Sequence, residues 1–129
     1  MTTVKRFEDL EIWQLARLIC KKVFEITCRN PFSKDFSLKN QIRRSSGSIM
    51  DNIPEGFERD GKQEFVQYLS IAKGSCGECR SQLYRAVDRK YITNAEFDEL
   101  YNLLTMESQK ISSFIRYLKK TEYKGRKYK

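Results

Sequence analysis

The sequence predicts an all-α fold, an antiparallel up-down-up-down four-helix bundle. Only two prolines and six glycines interrupt its 129 residues, which favours long helices over many short strands. Small and apolar residues also recur in alternating steps of four and three, the heptad pattern of helices that pack side by side. The predicted links are too short for crossover connections, so consecutive helices run antiparallel. The clearest heptad run consists of Phe65, Leu69, Ala72, Cys76, Cys79, Leu83 and Ala86.

The first helix is predicted over residues 9–28, with Asp9 as its N-cap. Leu15, Leu18 and Phe24 widen its apolar surface beyond what a single bundle seam requires. Two explanations are open: contacts between subunits, or packing within the core of one subunit. The predicted core face consists of Ile12, Ala16, Ile19, Val23 and Ile26.

The second helix is predicted over residues 37–57. Pro54 lacks a backbone N–H and lies near the end of this helix, where it favours a kink or a stop. Gly56 is well placed to close the helix, because glycine is the usual residue after a helix end. The face that packs against the third helix is expected to carry Leu38, Ile42, Ile49 and Ile53.

The third helix is predicted over residues 61–90. Asp60 and Gln63 have the spacing of a capping box at its start. Gly74 and Gly77 lie in its interior, where each costs about 1 kcal/mol relative to alanine. We therefore expect another backbone to approach the helix closely at these glycines.

The fourth helix is predicted to open with a capping box formed by Thr93 and Glu96. Its apolar seam would place the carboxyl group of Glu107 inside the bundle. The seam consists of Phe97, Leu100, Leu104, Ile111, Phe114 and Leu118. Residues 1–120 thus form the predicted bundle domain, and residues 121–129 a basic C-terminal tail.

The net charge of +8 is concentrated near the C-terminus. Seven basic residues and one acid lie between Arg116 and Lys129, which leaves the rest of the chain close to neutral. Such a tail either stays solvated or contacts an anionic polymer. No apolar run approaches the roughly 20 residues of a membrane span, and the N-terminus has no apolar signal core. We therefore expect a cytoplasmic protein with no membrane contact.

The four cysteines do not predict a metal or redox site. Cys76 and Cys79 have redox-motif spacing but lie inside a helix rather than at its start. Cys20 and Cys28 are about 12 Å apart along the first helix, whereas two thiolates on one zinc ion lie about 4 Å apart. We expect reduced cysteines that fill the seam as small apolar groups. A metal or redox bundle remains a minor alternative.

The residues that catalysis commonly needs are missing. The chain has no histidine, no phosphate-binding loop and no nucleophile elbow. Asp51, Glu55 and Glu58 share a helical face, but di-metal bundles pair such carboxylates with a Glu-x-x-His motif. We therefore predict a protein that is not an enzyme and binds no cofactor or metal.

A polar cluster is predicted between the second and third helices, made of Asn52, Glu55, Ser75 and Glu78. Buried polar side chains must form hydrogen bonds, because an unsatisfied one costs about 1–3 kcal/mol. The cluster could set the register of the two helices. Alternatively, it could contact a ligand or a partner.

The same residues resemble those of the 23S rRNA intervening-sequence protein family. The similarity rests on residues 44–57 (RSSGSIMDNIPEGF), on Glu64-Phe65, on Gly74-Ser75-x-x-Glu78 and on the opening Phe7-Glu-Asp-Leu10-x-Ile12-Trp13. It covers about residues 7–120. Pro54 departs from the family pattern, which commonly has alanine at this position.

The resemblance implies a four-helix bundle that assembles into homopentamers and carries no catalytic residues. Some family members are encoded within insertions in large-subunit rRNA genes. A related protein, the accessory variability determinant of diversity-generating retroelements, binds nucleic acid and a reverse transcriptase. These properties are expectations for the present chain.

The antiparallel order brings eight basic residues to one end of the predicted bundle. Lysine and arginine near a helix N-terminus oppose the helix dipole, so their placement there favours a function over stability. A pentamer would repeat the patch and strengthen phosphate binding, although ordinary solvated charge explains many such residues. The eight are Arg29, Lys34, Lys39, Arg43, Arg44, Arg85, Arg89 and Lys90.

Two functions follow as hypotheses. The first is a non-enzymatic oligomeric bundle that binds RNA or another nucleic acid through its phosphates, with weak sequence specificity. The alternative is an adaptor or scaffold for a protein partner such as a reverse transcriptase.

Overall fold

The computed structural model describes residues 4–121, and every regular element in that part of the chain is helical. Two short 3-10 helices, Phe7–Asp9 and Phe32–Lys34, precede the first two α-helices. The predicted tail, residues 121–129, lies outside the described residues except for Thr121. The four α-helices are α1 (Glu11–Thr27), α2 (Phe36–Phe57), α3 (Lys62–Asp88) and α4 (Asn94–Lys120).

Side-chain contacts between helix ends confirm the antiparallel order. Glu11, at the start of α1, forms a salt bridge of 3.0 Å with Lys110 in the second half of α4. Asp35, just before α2, forms one of 2.7 Å with Arg89, just after α3. The start of each of these helices therefore lies beside the later part of its neighbour, and the predicted bundle is confirmed.

The core follows the predicted heptad seams. All seven residues of the predicted α3 run are fully buried, and so are the core positions predicted for α2. The ring of Phe65 packs edge-to-face against those of Phe57 and Phe114, at centroid distances of 5.8 Å and 5.6 Å. Phe32, from the link between α1 and α2, is also fully buried.

The broad apolar surface of α1 is only partly used within the subunit. Its five predicted core residues are buried, and Trp13 and Leu15 pack against the core. Leu18 and Phe24 remain 40% and 57% exposed. Core packing therefore accounts for most of this surface, and only Leu18 and Phe24 among the apolar residues named for it stay exposed in the subunit.

The helix starts agree only partly with the sequence analysis. The Thr93–Glu96 capping box is present in both directions. The N-cap of α1, however, is Leu10 rather than Asp9, because residues 7–9 form a 3-10 turn of their own. The N-cap of α3 is Gly61, so the prediction that Asp60 caps this helix is wrong. Asp35, which the analysis missed, caps α2 by accepting a hydrogen bond from the backbone of Leu38 at 3.1 Å.

Gly56 does not close α2 but allows it to approach α3. It is buried one residue before the end of the helix, which continues past Pro54 to Phe57. A Cβ atom at this position would lie 2.7 Å from Tyr68 Cβ and 2.9 Å from Phe65 Cδ1. Only glycine fits here without displacing α3.

The close approach predicted at Gly74 and Gly77 is absent within the described subunit. A Cβ atom at Gly74 would meet nothing within 4 Å, and at Gly77 its nearest neighbour would be Arg80 Nη2 at 3.7 Å. Both glycines lie away from the heptad seam of α3. The heptad positions, and not the glycines, define the face that packs.

Glu107 lies inside the bundle, as predicted. Its side chain is fully buried, and neither carboxylate oxygen has a hydrogen-bond partner in residues 4–121. Burial raises the pKa of Glu107 to about 8, an effect that Lys110 partly opposes. The neighbouring Cys76 thiol of α3 is buried as well. The carboxyl group is therefore held in its neutral form near pH 7.

Gly56→Ala is expected to lower the free energy of unfolding by about 1–3 kcal/mol, because its methyl group would overlap α3. Gly74→Ala is the control, since it adds the same atom in open space. It should raise stability by about 0.5–1 kcal/mol through helix propensity. Urea denaturation of both variants measures the difference. Equal effects of the two substitutions would contradict the packing of α2 on α3 described above.

Glu107→Gln tests the buried carboxyl group. Unfolding shifts the pKa of Glu107 from about 8 to an ordinary value near 4.5, so the native state binds more protons between these pH values. Wild-type stability should therefore fall as pH rises through this window, by about 1.4 kcal/mol per pH unit at most. The Glu107→Gln variant lacks this dependence, so it should be more stable than wild type at pH 8 and similar at pH 5. Thermal unfolding across the pH range measures the change, and Glu78→Gln, at an exposed position, should behave as wild type.

Candidate nucleic-acid interface

One end of the bundle carries the eight basic residues that the sequence analysis singled out. It is built from the C-terminal ends of α1 and α3, the N-terminal part of α2 and the link between α1 and α2. The antiparallel order brings these segments together, as the contact between Asp35 and Arg89 shows. We call this region the basic end, defined by Arg29, Lys34, Lys39, Arg43, Arg44, Arg85, Arg89 and Lys90.

Two cations of the basic end are neutralised by carboxylates. Arg29 forms a salt bridge of 2.8 Å with Glu96, and the hydrogen bond from Arg29 lowers the pKa of Glu96. Arg89 pairs with Asp35 at 2.7 Å. These two arginines join helix ends, and carboxylates of the same subunit neutralise most of their charge.

The other six cations form no salt bridge with a described residue. Arg85 donates a hydrogen bond of 2.7 Å to the neutral amide oxygen of Gln41, so its charge remains uncompensated. Lys34, Arg44 and Lys90 are exposed. The basic end therefore keeps an excess of positive charge, as anion binding requires.

Arg43 is held in a fixed position between α1 and α2. Its Nε donates a hydrogen bond of 2.8 Å to Thr27 Oγ1, and its guanidinium group lies 4.6 Å from the centroid of the Phe24 ring. The Thr27 hydroxyl in turn donates to the backbone oxygen of Val23 at 2.8 Å. An arginine oriented in this way loses little conformational freedom when it binds an anion.

Lys90 occupies a strained backbone position at the end of α3. Its φ angle is 62°, a left-handed conformation that glycine usually provides after a helix. The turn is closed by the Tyr91 N–H, which donates to Ala86 O at 2.9 Å. A lysine at this position retains a charge where glycine would be more stable.

The polar cluster between α2 and α3 is smaller than predicted and centres on a residue that was missed. Ser48 Oγ receives hydrogen bonds of 2.9 Å from both Asn52 Nδ2 and Ser75 Oγ. Glu55 and Glu78 are exposed and lie outside the cluster. Three residues fall about 60° short of a full helical turn, so each glutamate is offset from the buried interface to its exposed edge.

A second polar contact between the same helices is more deeply buried. Ser45 Oγ donates a hydrogen bond of 2.6 Å to Gln82 Oε1, and both side chains are at most 3% exposed. The heptad pattern contained the signal for this pair. Ser45 continues the seam of α2 between Ile42 and Ile49, and Gln82 lies seven residues after Ser75. Both contacts lie within the bundle interface, so they fix the pairing of α2 and α3.

None of the four cysteines forms a disulfide, and they differ in exposure. Burial raises the pKa of Cys20 to about 11 and of both Cys76 and Cys79 to about 12. The last two fill the core as predicted. Cys28 is exposed, so the prediction that it fills the seam is wrong.

No group of three or more potential metal ligands occurs among residues 4–121, and no helix in that range is long and apolar enough to span a membrane.

A family model of 23S rRNA-intervening sequence proteins matches residues 8–113. The chain belongs to this family. A solved structure, a protein of unknown function from the S23 ribosomal protein family of Bacteroides thetaiotaomicron, has a similar fold with a TM-score of 0.75. It is 22% identical to the present family member, and the alignment covers 81% of this chain and 98% of the other. A search of curated proteins gives no significant match.

The contacts of Asp35 at the basic end can be tested by the substitution Asp35→Ala. This substitution removes the N-cap of α2 and the partner of both Arg89 and Tyr91. Loss of the cap alone should lower the free energy of unfolding by about 1 kcal/mol. The control is Asp88→Ala, which removes an exposed carboxylate from the last residue of α3 and should leave stability unchanged or slightly raised. Urea denaturation of both variants gives the comparison, and a larger loss in the control would contradict the cap.

Proposed function

We propose that this protein is a non-enzymatic oligomeric bundle that binds RNA through backbone phosphates at the basic end. The observation that carries the proposal is the presence, at one end of the described bundle, of six cations that form no salt bridge with a described residue. Phosphate contacts by lysine and arginine give salt-dependent binding with little sequence specificity. The family description refers to 23S rRNA-intervening sequences, which makes RNA the first polymer to test.

The proposal includes assembly into a pentamer, which the family resemblance implies. Leu18 on α1 and Met106 on α4 remain 40% and 45% exposed in the isolated subunit, which supports a contact between copies on this side. Five copies of the basic end would act together on one polymer and bind it more tightly than one copy. The proposal assigns the protein to the cytoplasm, where RNA is available.

An adaptor function is the second candidate, and one groove favours it. The groove lies between α1 and α4, has a volume of about 680 Å³ and includes Leu10, Ile12, Met106 and Phe114 in its lining. A protein partner such as a reverse transcriptase would insert apolar side chains there. Pull-down from a nuclease-treated lysate separates the candidates, because a protein partner survives this treatment and an RNA-mediated contact does not.

Filter binding at about 50 mM and 200 mM salt tests RNA binding. Replacement of Lys34, Lys39, Arg43 and Arg44 by glutamine should weaken binding to every RNA and reduce the salt slope by about 3. The matched control replaces Lys5, Arg116, Lys119 and Lys120, which lie at the opposite end of the bundle, and should keep the wild-type slope. Deletion of residues 122–129 measures separately how much the tail contributes to RNA binding. Absence of retention at low salt would overturn the proposal.

A further inference from the structure

Two phenylalanine rings at the basic end are left in solvent. Phe36 is 66% exposed and Phe24 is 57% exposed, the highest values among the large apolar side chains of the described residues. Burial of such rings stabilises a protein, and the isolated subunit does not bury these two.

Each ring carries a cation on one of its faces. The guanidinium group of Arg43 lies 4.6 Å from the centroid of the Phe24 ring, and Lys39 Nζ lies 4.8 Å from that of Phe36. The cation occupies one face of each ring, so a second flat group would stack on the opposite face, and both residues are more than half exposed. The rings therefore form two platforms with positive charge directly beneath them.

One platform, Phe36, begins α2, and the other, Phe24 of α1, is contacted by Arg43 of α2. Phe36, Lys39 and Arg43 have i, i+3, i+7 spacing and share a helix face. Seven residues of helix measure about 10 Å, roughly three nucleotides of a stacked strand at about 3.4 Å each. Gly47 continues the stripe, and a Cβ atom there would meet nothing within 4 Å. The path along α2 is therefore unobstructed beyond Arg43.

A groove between α1 and α2 extends this path. It has a volume of about 460 Å³ and includes Phe24, Met50 and the cations Arg17 and Lys21 in its lining. Glu25 is the one acid among its lining residues. Its charge is complementary to a polyanion, and its aromatic and thioether side chains suit flat apolar groups.

Exposed aromatic rings surrounded by cations are the pattern with which proteins bind single-stranded nucleic acid. Bases in a duplex are stacked on each other and cannot reach such rings, whereas unpaired bases stack on them readily. We propose that the basic end binds single-stranded RNA, with bases stacked on Phe24 and Phe36 and phosphates on Lys21, Lys39 and Arg43. This inference rests on the proposed function, and it adds the type of RNA and the residues that contact its bases and phosphates.

The direct test is fluorescence of a short single-stranded oligonucleotide that contains 2-aminopurine, titrated with wild-type protein. Stacking on a phenylalanine should quench the fluorophore. The double variant Phe24→Leu/Phe36→Leu keeps apolar side chains without flat rings, so it should bind without quenching and with an affinity reduced about 5- to 150-fold for each ring that contacts a base. Its salt slope should match that of wild type, because no phosphate contact is removed.

Two controls accompany this test. Tyr84→Leu removes an aromatic ring that is 51% exposed on α3, where it packs against Phe97 and Tyr101, and should leave binding unchanged. A blunt-ended RNA duplex without a loop should bind more weakly than the single strand, with equal affinity for wild type and the double variant. Circular dichroism confirms that each variant keeps its helices.

The outcomes separate this inference from the function on which it rests. If wild type binds RNA but the double variant binds and quenches equally well, the stacking sites are wrong and phosphate binding stands. Equal affinity of wild type for the single strand and the blunt-ended duplex has the same meaning. If wild type binds no RNA at low salt, both proposals fail. If the double variant loses only a protein captured from nuclease-treated lysate, the rings serve a protein partner and the inference is overturned.

Discussion

Helices α2 and α3 approach each other more closely than ordinary side chains allow, because Gly56 presents no Cβ atom to Phe65 and Tyr68. This contact fixes one end of the pair, and the buried hydrogen bond between Ser45 and Gln82 fixes its register farther along. Sliding the helices would break that bond and leave a buried polar group unsatisfied. The basic end depends on this pairing, since six of its eight cations lie on α2, on α3 or directly after α3.

The fold was predictable from the sequence because heptad spacing depends on backbone geometry alone. Positions such as Leu69 and Leu83 must face the core in any bundle built from this helix. Helix starts were less predictable. Asp35 and Asp9 are both acids near a helix start, but only Asp35 caps one, since residues 7–9 form a separate turn. That choice depends on tertiary packing, which the local pattern does not contain.

The sequence predicted where the basic residues of the candidate site lie, but it did not predict which of them are neutralised by acids. Antiparallel order brought the eight basic residues to one end, as expected. Which of them are neutralised depends on acids supplied by other segments, such as Glu96 for Arg29. Exposure of Phe24 was also invisible in the sequence, where an apolar residue beside a heptad seam is indistinguishable from one that packs. Such features depend on side-chain directions, which only the folded subunit determines.

The distribution of thiols has a practical consequence for solution work. Three of the four cysteines are wholly or partly buried, with pKa values raised to about 11 or 12, and react slowly because thiolate is the nucleophile. Cys28 is exposed, and Arg43 Nη2 lies 3.5 Å from its sulfur. A maleimide dye added to the unmodified protein would therefore attach mainly beside the basic end. The native chain thus offers a single-site optical reporter without engineered cysteines.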